Sequence, residues 1–217
     1  MRGTFGGNPR VTLSSRPVRP VGSVVKYTAM GERTVKVPKL VAFDLDGTLW
    51  YPEMYMLDGG APFRRDAGGA VFDAAGERIK LLGDTLKVFA HITTHQDWSD
   101  TQIAYVSRTE YPEWAIPCLQ QFPVPGHPRG LTLFDISAHN EIYPGSKLAH
   151  FKAIHKRSGI DYADMLFFDN ERWNITEVSR LGVKSSGLSM FEQGAAAAGD
   201  GKKHKHRQKK ANSIVFG

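Results

Sequence analysis

The chain of 217 residues predicts an α/β fold, a sheet of buried parallel strands packed with helices. Three observations predict it. Short apolar runs recur at 40–43, 101–106, 131–136 and 164–168, each the length of one buried strand. Stretches of helical period separate most of them. Three of the runs also end directly in polar residues, Asp44, Ser107 and Asp169, and the carboxyl ends of strands are where open α/β sheets hold their ligands.

Taken in order, residues 1–36 combine Gly, Pro, Ser, Thr and Arg with no acid before Glu32. That composition fits either an organelle transit peptide or a disordered extension. The globular domain is expected over 37–191. Leu40–Phe43 is its first strand. Residues 51–83 follow, rich in glycine, with Pro52 and Pro62 and glycine pairs at 59–60 and 68–69. They read as a hairpin flap with short strands near 70–72 and 77–81, too small for a separate cap domain. Asp84 is placed to cap a helix carrying Leu86, Val88, Phe89 and Ile92 on one side. The second strand is 101–106, a helix follows through Gln121, and Pro123, Pro125 and Pro128 then mark an exposed loop. A third strand is expected at 131–136. Pro144 and Gly145 turn the chain into a helix through Leu148, Phe151 and Ile154. The fourth strand is 164–168, the next helix runs over 172–181 with Gly182 closing it, and a last strand lies near 183–186. Residues 192–217 are expected to be a disordered basic tail.

Charge is unevenly placed. Residues 1–35 carry six Lys/Arg and one acid, and the run 202–210 carries six Lys/Arg and no acid, leaving 16 basic and 21 acidic residues for the rest. The body is therefore acidic although the chain is +6 overall. An acidic body argues against a broad nucleic-acid-binding face. A solvated charge run is the favoured meaning of the tail over a contact with RNA, acidic lipid or an import receptor. No apolar run is long enough to span a membrane. A cytoplasmic monomer is expected, or an organelle protein if 1–36 is a transit peptide. The single cysteine, Cys118, excludes an internal disulfide and a cysteine zinc site. His127, His139, His150 and His155 show no metal-binding spacing.

The chemistry gathers at the strand ends. Asp44 and Asp46 stand two residues apart after the first strand, so both can face one site, and Gly47 permits a sharp turn there. A calcium loop would need oxygen ligands where Leu49, Trp50 and Tyr51 stand. Lys147 falls in the first turn of its helix, where a cation opposes the helix dipole, a position that a carboxylate or phosphate partner would justify. Asp169, followed by Asn170, adds a third acid. Such an oxygen-rich set suits Mg²⁺. Ser107-Arg108-Thr109 alone would read as a helix start, but it follows a strand.

The segment Asp44-Leu-Asp-Gly-Thr-Leu resembles the nucleophile motif of the haloacid dehalogenase (HAD)-like hydrolases. Phe43-Asp-Leu-Asp with Thr48-Leu-Trp50, Ser107-Arg-Thr109, Glu141-Ile-Tyr-Pro-Gly-Ser-Lys147, Phe167-Phe-Asp169 and Leu181-Gly-Val183 are together similar to the magnesium-dependent phosphatase-1 family within them. The resemblance covers 38–186 and implies a Rossmann-like, HAD-type three-layer fold with a parallel sheet and only a minimal cap. It also implies Mg²⁺-dependent hydrolysis of phosphomonoesters, on phosphotyrosine-type proteins or sugar phosphates. By motif it assigns Asp44 as nucleophile and Asp46 as general acid/base. Ser107 and Lys147 hold phosphate, with Arg108 as a further charged donor. Asp44, the Asp46 backbone carbonyl and Asp169 ligate the metal, and Asn170 stands at the adjoining position. Two residues depart from the pattern. Asn170 replaces a usual second aspartate and removes one negative charge, and Gly47 stands where tyrosine is frequent. Two alternatives stay open: a phosphotransferase on the same scaffold, and a binding module that keeps the site without turnover.

Overall fold

The computed structural model describes residues 24–26 and 34–187. Most of the stretch read as an N-terminal extension, and the whole basic tail, lie outside them. Within that extension β1 (Val24–Lys26) and β2 (Thr34–Lys36) pair antiparallel.

The central sheet joins β3 (Leu40–Phe43), β8 (Gln102–Ser107), β9 (His139–Ile142), β10 (Met165–Asp169) and β11 (Lys184–Gly187). Its order is β11-β10-β3-β8-β9 and every pairing is parallel. The central strand is apolar throughout because both its faces are covered. Alternate residues feed two cores. Val41, Phe43, Ile103 and Tyr105 face α1 (Thr85–Thr94) and α2 (Pro112–Leu119), whose Phe89, Ile92, Ala115 and Leu119 are buried there. Leu40, Ala42, Ala104 and Val106 face α3 (Lys147–Ser158) and α4 (Arg172–Ser179), which contribute Phe151, Ile154 and Val178. This is the three-layer arrangement the resemblance implies.

The flap is a four-stranded antiparallel sheet in the order β4-β7-β6-β5. Its strands are β4 (Trp50–Tyr51), β5 (Arg64–Arg65), β6 (Val71–Phe72) and β7 (Arg78–Leu81). It is larger than the hairpin expected and is tied firmly to the body. Leu57, Phe63, Val71 and Ile79 enter the same core as α1 and α2. Asp73, fully buried, accepts hydrogen bonds from the Gly59 amide (3.0 Å) and the Glu77 amide (2.7 Å). Gly60 has φ +59°, and a Cβ there would lie 2.2 Å from the Trp114 ring, so only glycine fits against α2.

Two readings are corrected. Residues 131–136 form no strand; Asp135 accepts from the Thr132 amide (2.9 Å) and hydroxyl (2.7 Å), which winds the segment into turns. The third strand is instead β9, an edge strand of mixed polarity. Asp84 precedes α1 as expected, but its carboxylate turns to Lys87 at 2.8 Å rather than to a helix amide. Gly159, at φ +68°, closes α3, and the Gly182 amide bonds back to the Ser179 carbonyl after α4.

Candidate active site

The carboxyl ends of β3, β8 and β10, together with the start of α3, meet at a cavity of about 420 Å³. Asp44, Asp46, Ser107, Lys147 and Asn170 all line it, with Arg108 at its edge. Asp44 follows β3 directly, and its amide donates to the Phe168 carbonyl of β10 (2.9 Å), which fixes it at the sheet edge.

Lys147 is the hub. It is 1% exposed, and its Nζ donates to Asp44 Oδ1 (2.5 Å) and to the Val106 carbonyl (2.5 Å) and lies 3.1 Å from Asp169 Oδ2. Ser146 caps the helix just before it, accepting from the Ala149 amide (3.2 Å). The positional oddity of a lysine at a helix start is thus resolved by two buried carboxylates. Asp169 is held further by the Glu171 amide (2.7 Å) and Asn174 Nδ2 (2.9 Å).

One lysine faces three carboxylates. Burial pushes the Asp44 carboxyl up to about 7, with repulsion from Asp169 and Asp46 adding to it and Lys147 opposing. Burial likewise raises Asp46, against the pull of Trp50 and the Met54 amide. These donors hold a single oxygen of Asp46: Oδ1 accepts from Trp50 Nε1 (2.8 Å) and from the Met54 amide (3.0 Å). Both come from the flap side, so the flap orients the second aspartate. Cys118 is buried and its thiol is pushed far up by that burial, consistent with an inert side chain.

Ser107 is buried at the end of β8, its Oγ accepting from the Thr109 amide (3.2 Å). Arg108 lines the cavity beside it and is held at the rim. Its Nε donates to the Gly145 carbonyl (2.7 Å) and its guanidinium lies 4.6 Å over the Trp173 ring. Asn170 joins a network around Thr48. The Thr48 hydroxyl accepts from the Asn170 amide (3.0 Å) and lies 3.2 Å from Asn170 Oδ1 and 3.3 Å from Asp44 Oδ2. Gly47 has φ +68°, and a Cβ there would lie 2.4 Å from Asn170 Nδ2. A tyrosine at 47 is therefore incompatible with Asn170 as placed.

The sequence reading missed Thr48, Trp50, Asn174 and the Met54 amide, which hold the acids in place. The Asp46–Trp50 spacing was visible, but no local rule pairs them. Among the described residues, no group of three His, Cys, Asp or Glu side chains is gathered closely enough to hold a metal unaided. The cavity lining contains no His or Cys, and its side-chain oxygens are carboxylates, the Asn170 and Asn174 amides and the hydroxyls of Ser107, Thr109, Tyr55 and Tyr111. This chemistry suits Mg²⁺, which keeps waters and takes substrate phosphate into its shell.

A sequence profile of acid phosphatases matches residues 36–210, most of the chain. The chain belongs to the acid phosphatase family. It is 36% identical over 148 residues to human magnesium-dependent phosphatase 1, covering 68% of this chain and 76% of that protein. A HAD-like hydrolase superfamily protein of Schizosaccharomyces pombe is 35% identical over 153 residues, 70% of this chain and 86% of the relative. Solved structures include the N-terminal part of a Bacteroides fragilis protein containing a phosphatase domain complexed with Mg. The match has a TM-score of 0.43 at 21% identity, over 69% of this chain and 35% of that one. A HAD-like hydrolase of Porphyromonas gingivalis matches at TM-score 0.44 and 14% identity, over 70% of this chain and 91% of that one.

Proposed function

We propose that this chain is a Mg²⁺-dependent phosphomonoesterase working through an aspartyl phosphate on Asp44, with phosphotyrosine-type protein groups or sugar phosphates as its substrates. The observation that carries the reading is the buried cluster in which Lys147 bridges Asp44 and Asp169 while Asp46 stands on separate donors. Membership of an acid phosphatase family, and a relative named for its magnesium dependence, support the same class.

Asp44, the Asp46 backbone carbonyl, Asp169 and Asn170 would hold Mg²⁺, which when bound supplies positive charge against the phosphate oxygens. Lys147 supplies a second, fixed positive charge beside Asp44, so carboxylate and phosphate dianion can approach. Asp44 attacks phosphorus, the ester P–O bond breaks, and its electron pair leaves with the alcohol oxygen. Asp46 protonates that oxygen, its raised carboxyl pKa keeping the acid form available. The Asp46 carboxylate then takes a proton from water as that water attacks phosphorus, releasing phosphate and restoring both aspartates. The Ser107 hydroxyl donates to a phosphoryl oxygen.

Hydrolysis of p-nitrophenyl phosphate by the purified chain, with Mg²⁺, with EDTA and in Asp44→Asn, tests the reading. Activity that needs the metal and disappears in the variant supports it. Unchanged turnover in Asp44→Asn would overturn it.

A further inference from the structure

We propose that the mouth of this cavity selects a phosphate carried in a lysine- or arginine-flanked peptide segment, with Glu53, Glu110 and Glu171 as the residues that set the preference. The inference rests on the phosphatase reading for its chemistry, and on the charge of the rim for its selectivity.

The three glutamates reach the cavity from three separate elements: Glu53 from the flap, Glu110 from the loop after β8, and Glu171 from the turn before α4. Glu110 and Glu171 are exposed and Glu53 is half-buried. None of them forms an ion pair among the described residues. The cavity's two cations are engaged elsewhere. Lys147 is buried against Asp44 and Asp169, and Arg108 lies over Trp173 with its Nε on the Gly145 carbonyl. The floor can therefore accept a phosphate dianion, while the rim meets the rest of the substrate with three glutamates against the one exposed arginine, a net negative charge.

Charge of this kind works chiefly by discrimination. A leaving group with acids beside the phosphate is repelled, and one with lysines or arginines is drawn in, over about a Debye length. Beside the glutamates, Tyr55 (65% exposed) and the ring face of Trp173 that Arg108 leaves open (51% exposed) offer flat apolar surface on which a peptide chain can lie. The flap stays packed into the core beside the mouth, with Leu57, Phe63, Val71 and Ile79 buried there.

The test uses the full chain and two short phosphotyrosine peptides, identical except for lysines or glutamates on either side of the tyrosine. The basic run at 202–210 repels the lysine-flanked peptide and attracts the glutamate-flanked one, so it opposes the expected preference, and the change in ratio on substituting the glutamates, with the tail unaltered, reads the rim alone. At low ionic strength the lysine-flanked peptide should show a kcat/KM about tenfold higher, the combined effect of a few exposed ion pairs. Added salt should bring the ratio towards one, as should the triple variant Glu53→Gln, Glu110→Gln, Glu171→Gln. If the triple variant fails to fold, Glu110→Gln alone should lower the ratio. Equal kcat/KM for the two peptides overturns the proposal. So does cleavage of phosphoethanolamine in preference to the lysine-flanked peptide, which would assign the rim to a small cationic ester. Binding of the same peptides to Asp44→Asn, read by fluorescence anisotropy, gives the preference without turnover. A chain that never hydrolyses p-nitrophenyl phosphate but binds the lysine-flanked peptide more tightly would sink the phosphatase reading and leave this one standing; equal binding sinks this one in either case.

Discussion

At the scale of single residues, the site depends on charges that cannot be separated from their partners. Lys147 is buried between two carboxylates, so Lys147→Met leaves Asp44 and Asp169 without their cation. Breaking a buried pair in this way costs roughly 3 kcal/mol, and a drop in Tm of the purified variant should accompany loss of turnover. Trp50 makes a subtler prediction. Its Nε1–H favours the ionised form of Asp46, so Trp50→Phe removes a downward pull and should raise the pKa of that carboxyl further. Activity that needs protonated Asp46 should then persist to higher pH. The basic limb of the pH profile of kcat, measured on an alkyl phosphate with a poor leaving group, should move up. Asp44, Asp46, Ser107, Lys147 and Asp169 were all legible as candidates, because each sits at the end of an apolar run or opposes a helix dipole. Thr48 and Trp50 were not, because their roles depend on partners the turn at Gly47 brings close. The orientation of Arg108 onto Trp173 was equally hidden, since 65 residues separate the two in the chain.

At the scale of elements, the flap is what a strand-and-helix reading undervalues. Its sheet supplies Trp50 to Asp46, and the short helical turn that follows supplies the Met54 amide to Asp46 and Glu53 and Tyr55 to the cavity. Asp73 fastens this sheet from within, so Asp73→Ala strands two backbone amides, at Gly59 and Glu77. The expected cost is about 2 kcal/mol in urea unfolding. Faster hydrogen exchange across residues 53–60 and a raised KM should accompany it, because Glu53 and Tyr55 lose their fixed placement. Helix α3 carries a comparable dependence. Ser146→Ala removes its N-cap bond and should cost about 1 kcal/mol. β9 shows the limit of periodicity: its outer half is polar and its inner half buried, so neither an alternating nor a continuous apolar pattern marks it. The apolar residues of 131–136 mimicked a strand, and the Thr132–Asp135 turn outcompeted that reading.

At the scale of the whole molecule, two responses to solution conditions follow. Mg²⁺ that binds the folded chain and not the unfolded one should raise Tm, by about 2.7 kcal/mol of added stability at a hundredfold excess over Kd. Asp169→Asn should abolish that shift, which thermal scans with and without EDTA would read independently of catalysis. His150 controls a pH response. It is fully buried on α3, its ring meets Tyr143 edge-on at 4.4 Å, and neither ring nitrogen has a well-formed hydrogen bond among the described residues. Burial pushes its pKa down to about 4, and the charges of Lys147 and Arg108 push the same way, against the pull of the nearby Tyr143 backbone. The unfolded chain takes up this proton near 6.5, where the folded chain still refuses it. Its contribution to stability is therefore complete above pH 6.5 and is lost as pH falls towards 4. His150→Phe should flatten the decline in urea-unfolding free energy between pH 7 and pH 4.5.

The sequence by itself determined the order of strands and helices along most of the chain, and which residue types stand at the strand ends. It also determined the acidity of the body between two basic ends. Those properties are local or compositional, written in runs, periods and counts. Only the tertiary structure decided which side chains share charge and hydrogen bonds: Lys147 with two aspartates, Asp46 with the flap, Asn170 with Thr48, Arg108 with Trp173. Parallel strands bring together residues scores of positions apart, and the low dielectric of the buried site makes those distant partners govern its chemistry.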